Sequence, residues 1–115
     1  MADKALARRA VACRHWCWVE GMAYMDHAGV HWRVSPSGLM GLEGECLPLL
    51  HDHATKGCLL ALVRKAWKDP SMTPHMVRRQ TGTVWRMGRI GILPTLGEYR
   101  TELETLVAAL EKAPT

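Results

Sequence analysis

Between Asp52 and Pro70 the chain carries one clean amphipathic stripe, and nothing else in the sequence restricts the fold as strongly. Leu59, Leu62, Val63, Ala66 and Trp67 recur at helical spacing, with Arg64, Lys65 and Lys68 between or beyond them. Asp52 or Thr55 offers an N-cap, and Asp69-Pro70 stops the pattern because the residue before proline disfavours helix. The spacing predicts a helix over 54–68. One such stripe is only half buried on its own surface, so the rest of the chain must supply a cover for it.

Two further stripes flank it. Leu6, Ala10, Val11 and Cys17 predict a helix over 3–16, with Arg8, Arg9 and Arg14 left for solvent and Asp3 near the positive end of the dipole. Tyr99, Leu103, Leu106, Val107 and Leu110 predict a third helix over 97–112, glutamates on its opposite side. Between the helices lie β-type stretches. Residues 22–25 and 30–34 flank Asp26-His27-Ala28-Gly29, a turn-forming run, and Val30, Trp32 and Val34 alternate with His31 and Arg33. Residues 76–79 and 83–87 flank Thr81-Gly82, with Val77, Val84 and Trp85 as packing residues. The stretch from Leu39 to Leu50 has no clean period and reads as a loop with one short extended piece. The expected architecture is α+β: a small antiparallel sheet from two hairpins with three helices, in the order α-ββ-α-ββ-α.

With 115 residues and 48% apolar composition, the chain reads as one domain, 1–115, that folds unaided. No apolar run reaches the roughly 20 residues that span a bilayer, and MADKALARRA lacks the apolar centre of a secretion signal. A cytoplasmic protein with no membrane partner is expected. In a reducing compartment Cys13, Cys17, Cys46 and Cys58 are read as small apolar residues before they are read as disulfides.

Charge is unevenly distributed. Residues 1–19 carry a net +3, residues 20–55 a net −4, residues 56–97 a net +7 and residues 98–115 a net −2. The basic stretch points to a single positive face that meets a partner. Its candidate contacts are Arg64, Lys65 and Lys68 on the second helix, with Arg78, Arg79, Trp85, Arg86 and Arg89 on and after the second hairpin. Arginines interleaved with an indole suit phosphate contact and base stacking, which makes a nucleic-acid-binding module one alternative. An anionic protein surface would attract the same patch.

Five tryptophans without a single phenylalanine are too many large anchors for a small core to hide, so Trp18 or Trp85 is expected to be partly exposed. Short edge strands with few blocking charges also invite pairing, which allows a homodimer through the first helix or a hairpin edge.

Catalysis finds no support in the sequence. It holds no glycine-rich phosphate loop, no GxSxG, no HExxH and no carboxylate pair, so no enzyme activity and no cofactor are expected. Cys13-x-x-x-Cys17, His27-x-x-x-His31 and His51-x-His53 have spacings compatible with zinc, but none matches a paired-knuckle pattern. A zinc-stabilised domain stands as a further alternative, with no metal ligands assigned.

Leu6-Ala7-Arg8-Arg9-Ala10-Val11-Ala12-Cys13, Trp16-x-Trp18-x-x-Gly21-Met22, the central Gly57-Cys58-Leu59-Leu60-Ala61-Leu62-Val63-Arg64-x-Ala66-Trp67-x-Asp69-Pro70 and Leu106-Val107-Ala108-Ala109-Leu110-Glu111 together resemble a family of small bacteriophage and prophage proteins. The resemblance lies in core and helix residues and brings no catalytic residue with it. It implies a small accessory protein that binds a host macromolecule, in a setting where anti-defence inhibitors such as anti-CRISPR proteins are common. The segments that vary against that pattern are 39–50 and 71–93, where a partner-specific surface would lie.

Overall fold

In the computed structural model, which describes residues 2–36, 45–88 and 97–114, helices and hairpins alternate. The order is α1 (Ala2–Ala12), β1 (Ala23–Met25), β2 (His31–Arg33), β3 (Leu47–Pro48), α2 (His53–Trp67), β4 (Thr73–Arg79), β5 (Gly82–Gly88), β6 (Glu98–Tyr99) and α3 (Glu102–Glu111). The fold class is α+β, with three helices and antiparallel pairing throughout. Among the described residues the strands form two sheets, not one. Each hairpin gains a two-residue third strand from its own neighbourhood, giving the orders β2-β1-β3 and β4-β5-β6. Among the described residues no helix is long and apolar enough to cross a membrane.

The first hairpin turns where its sequence dictates. Asp26 accepts the N–H groups of Ala28 and Val30 at 2.9 Å each, and Gly29 takes the positive φ that closes the turn. Asp52 caps α2 by accepting the Thr55 N–H, and Lys68 ends that helix in the left-handed region, its N–H returning to Arg64 and Lys65. Helix α1 stops at Ala12, short of the expected residue 16, so Cys13 and Cys17 do not share a helical face.

Helix α3 departs most from expectation. It begins at Glu102, because Glu98 and Tyr99 are drawn into the sheet as β6 and Thr101 caps the helix through the Glu104 N–H. Nor is it amphipathic. Leu103 and every residue from Thr105 to Leu110 are buried, since α3 touches α1, α2 and all three strands of the second sheet. Its glutamates sit at its ends, where Glu111 meets Arg9 at 2.6 Å and Glu102 meets Lys56 at 3.1 Å. Two carbonyls of its last turn accept from other elements: Trp67 Nε1 donates to Ala109 O at 2.8 Å and Cys13 Sγ to Leu110 O at 3.4 Å. The core closes around this helix with Leu6, Met22, Tyr24, Leu59, Val63, Met72 and Met87.

Candidate interaction surface

The register of the second hairpin decides where its cations go. Pairing runs from Thr73↔Gly88 to Arg79↔Gly82, with Trp85↔Tyr99 and Arg86↔Glu98 on the far side of β5. Directly opposed residues share a face and successive residues alternate. His75, Val77, Arg79, Val84, Arg86 and Glu98 therefore lie on one face of the sheet. Pro74, Met76, Arg78, Trp85, Met87 and Tyr99 lie on the other.

The single positive face expected from sequence is thus divided. On the first face the cations are already engaged. Arg79 pairs with Glu98 across β5 at 2.7 Å, and Arg86 Nε donates to His75 Nε2 at 3.0 Å. Both ends of the Arg79 ion pair are exposed, so it adds about 0–1 kcal/mol and serves mainly to hold its groups. The second face is mixed. Met87 is buried against the core, while further along the ribbon Met76 is 56% exposed beside half-buried Trp85 and exposed Arg78.

The remaining candidates separate further. Arg64 is half-buried and spent on structure, its Nε donating to Met72 O at 2.8 Å. Lys65 and Lys68 are exposed at the end of α2. Arg89 lies outside the described residues. The side chains of Lys65, Lys68 and Arg78 have no hydrogen-bond or ion-pair partner among the described residues.

All five indoles retain some exposure, and the most exposed is Trp32 at 39%, not Trp18 or Trp85, which are half-buried. Trp18 packs edge-on against both Trp16 and Tyr24. Trp32 is held at the surface: its Nε1 donates to Asp26 at 2.8 Å, and neighbouring Val30 is 49% exposed. That hydrogen bond, followed by the Val30 N–H, lowers the Asp26 carboxyl from its ordinary value. The turn signal at Asp26 was visible in the sequence; its second partner six residues on was not.

The potential metal ligands do not converge. Among the described residues no group of three or more His, Cys, Asp or Glu side chains could hold a metal ion, and the four cysteines are free thiols. Cys17, His27, His31, His51 and His53 are exposed, and Cys13 points back to α3.

A cleft of about 140 Å³ opens between α1 and β3, lined by Leu6, Met25, Leu47, Pro48 and Leu50 with Lys4 and His51 at its border. It is smaller than the pockets of roughly 300–1,000 Å³ that enclose typical small-molecule ligands. Comparison with protein-family models, with curated proteins and with solved structures gives no match to this chain.

Proposed function

We propose that the chain is a protein-binding module that engages its partner through the Met76, Trp85 and Arg78 face of the β4–β5 hairpin, in a binding role and not a catalytic one. The observation that carries this reading is the exposure of Met76, at 56%, on the same face as a half-buried indole and an arginine with no internal partner. Methionine, tryptophan and arginine are the side chains enriched at protein interfaces, where a rigid apolar anchor is rimmed by charge. The complementary surface is an apolar patch edged with carboxylates.

The division of the arginines between two faces favours a protein over a nucleic acid, which needs several cations aligned along one backbone. The resemblance to bacteriophage and prophage proteins supports a cytoplasmic host protein as that partner and modulation of a host process, anti-defence inhibition included, as the outcome.

The test is capture from host extract by the wild-type chain and by a Met76→Asp, Arg78→Glu variant of unchanged thermal stability. A specific protein lost by the variant supports the reading, and identical capture by both refutes it. Titration with random-sequence DNA and RNA at two salt concentrations is the companion measurement. Tight, steeply salt-dependent binding there would replace a protein partner with a nucleic acid.

A further inference from the structure

Among the described residues the second sheet ends on β4, and one residue fixes the chemistry of that edge. Proline has no N–H, so within the ladder Pro74, opposite Met87, must turn its nitrogen away from β5. Alternation then directs the main-chain N–H and C=O of Met76 and Arg78 outward as well, while His75, Val77 and Arg79 bond to β5. None of these outward groups has a hydrogen-bond partner among the described residues. An edge of seven residues with free donors and acceptors is a template for another strand, and its side chains select what can be added.

Those side chains are specific in charge. From Thr73 to Gly88 there are three arginines and no carboxylate, with Lys65 and Lys68 just before the strand begins. Arg79 and Arg86 are engaged inside the sheet, which leaves Arg78 to meet an incoming group. Two residues before it, on the same face, stands exposed Met76.

We propose that the β4 edge takes up an extended acidic segment of a partner protein as a fourth strand. This rests on the binding role above and specifies its form. In antiparallel addition the partner residue opposite Met76 is apolar, and the one opposite Arg78, two positions earlier in the partner, is acidic. The recognised pattern is acidic-x-apolar. Both of these partner residues exchange main-chain hydrogen bonds with β4, and the residue between them turns its amide away. A second copy of this chain presents no carboxylate on the same edge, so charge favours a foreign strand over self-pairing.

The test uses the full chain and a dye-labelled peptide, Thr-Glu-Thr-Val-Thr-Glu-Thr-Val-Thr, followed by fluorescence anisotropy. The expected result is saturable binding that disappears when the glutamates are replaced by lysines. N-methylation of the Glu and Val nitrogens, which face β4, weakens binding at least about tenfold, and N-methylation of the Thr nitrogens does not. On the protein side, Met76→Pro removes an outward N–H without touching the ladder to β5. It abolishes binding at unchanged melting temperature, whereas Met76→Ala retains part of it. Arg78→Glu transfers the preference to the lysine peptide.

No binding of the acidic peptide up to about 1 mM overturns the proposal. Binding indifferent to the position of N-methylation also overturns strand addition, but leaves docking on the hairpin face intact. Self-association sensitive to Met76→Pro, without peptide binding, identifies a second copy as the occupant and likewise refutes the proposal. The capture experiment on the variant face reports separately on the binding role.

Discussion

Asp52 joins three elements through one carboxylate, and its removal should be felt across the first sheet and α2 together. Its Oδ2 accepts the Thr55 N–H and the Thr55 hydroxyl at 3.0 Å each, and Arg33 on β2 donates to both oxygens at 3.1 and 3.2 Å. The Thr55 hydroxyl is fully buried and in turn accepts the Ala23 N–H of β1 at 2.7 Å. Asp52→Ala loses an N-cap, about 1 kcal/mol. It also strands a buried hydroxyl donor, about 1–3 kcal/mol. The Arg33 pair is left out of the sum, because the arginine is 54% exposed and screened by solvent. These terms share partners and do not add in full, so a net loss of about 3 kcal/mol is expected. For a chain of this size that lowers the melting temperature by about 10 °C. Asp52→Asn keeps an acceptor for the cap and the hydroxyl, so it should cost less than Asp52→Ala.

The pH dependence has a definite sign. The Arg33 guanidinium first, then the Thr55 N–H, hold the Asp52 carboxyl at about 2, below its ordinary 3.8. A depressed carboxyl stabilises the fold in full above its unfolded value, and that contribution is lost as pH falls toward the folded value. The gap in unfolding free energy between wild type and Asp52→Asn should therefore hold steady from neutral pH to about pH 5 and close between about pH 4 and pH 2. Circular-dichroism melts and urea titrations across that range measure it. Equal losses for the Ala and Asn variants would refute the capping argument, and a gap that persists at pH 2 would refute the linkage.

Lys68 occupies the left-handed region at φ 54°, where a side chain is strained, so Lys68→Gly should raise stability by about 1 kcal/mol, read as a melting temperature a few degrees higher. Gly88→Ala would place a Cβ 2.6 Å from His75 Cε1, breaking the Arg86–His75 contact at a cost of about 1–3 kcal/mol; if the clash is the cause, a His75→Ala background removes most of that cost in a double-mutant cycle. Asp26→Ala frees the Trp32 indole, which should raise acrylamide quenching of its fluorescence in a Trp16→Phe, Trp18→Phe, Trp67→Phe, Trp85→Phe background. In the same background the lowered Asp26 carboxyl keeps the contact at neutral pH, and quenching should rise only as the carboxyl takes up its proton in acid.

Local chemistry was legible in the sequence wherever a residue acts on its own neighbours. The Asp26 to Gly29 turn, the Asp52 cap and the stop near Asp69-Pro70 all follow from side chains within four positions, while the second reversal falls one residue earlier than Thr81-Gly82, at Gln80-Thr81, with Gly82 already paired to Arg79. Thr101-x-x-Glu104 carried a capping signal that starts α3 at Glu102, five residues after the expected 97. The burial of α3 on all sides was not legible, because glutamates at the two ends of a helix mimic a polar face when projected on a wheel. The parity that separates Arg78 from Arg79 and Arg86 is present in the sequence, but it acquires meaning only once Arg79 is known to pair with Gly82. Met76 is one of several methionines in the loops and hairpins that could adapt to a partner, and the sequence does not set it apart: alternation places it with buried Met87, and only its position on the ribbon leaves it exposed.

The strongest charge signal in the sequence, a net +7 over residues 56–97 against −2 over 98–115, describes in large part contacts that the chain makes with itself. Lys56 is tied to Glu102, Arg79 to Glu98, Arg64 to a carbonyl and Arg86 to a histidine. Three cations of that stretch, Lys65, Lys68 and Arg78, are left to meet a partner from the described residues. This bounds the electrostatic share of any binding there. Three phosphate contacts would weaken binding about 40-fold between 50 and 200 mM salt, whereas a nucleic-acid site of six to ten contacts loses about 10³–10⁵-fold. A protein partner recognised mainly by main-chain hydrogen bonds and by Met76 should fall below the first figure. Affinity measured at those two salt concentrations decides the matter: a loss well above 40-fold would mean that cations now engaged inside the fold are released on binding, and the division of the arginines between two faces would then not survive contact with the partner.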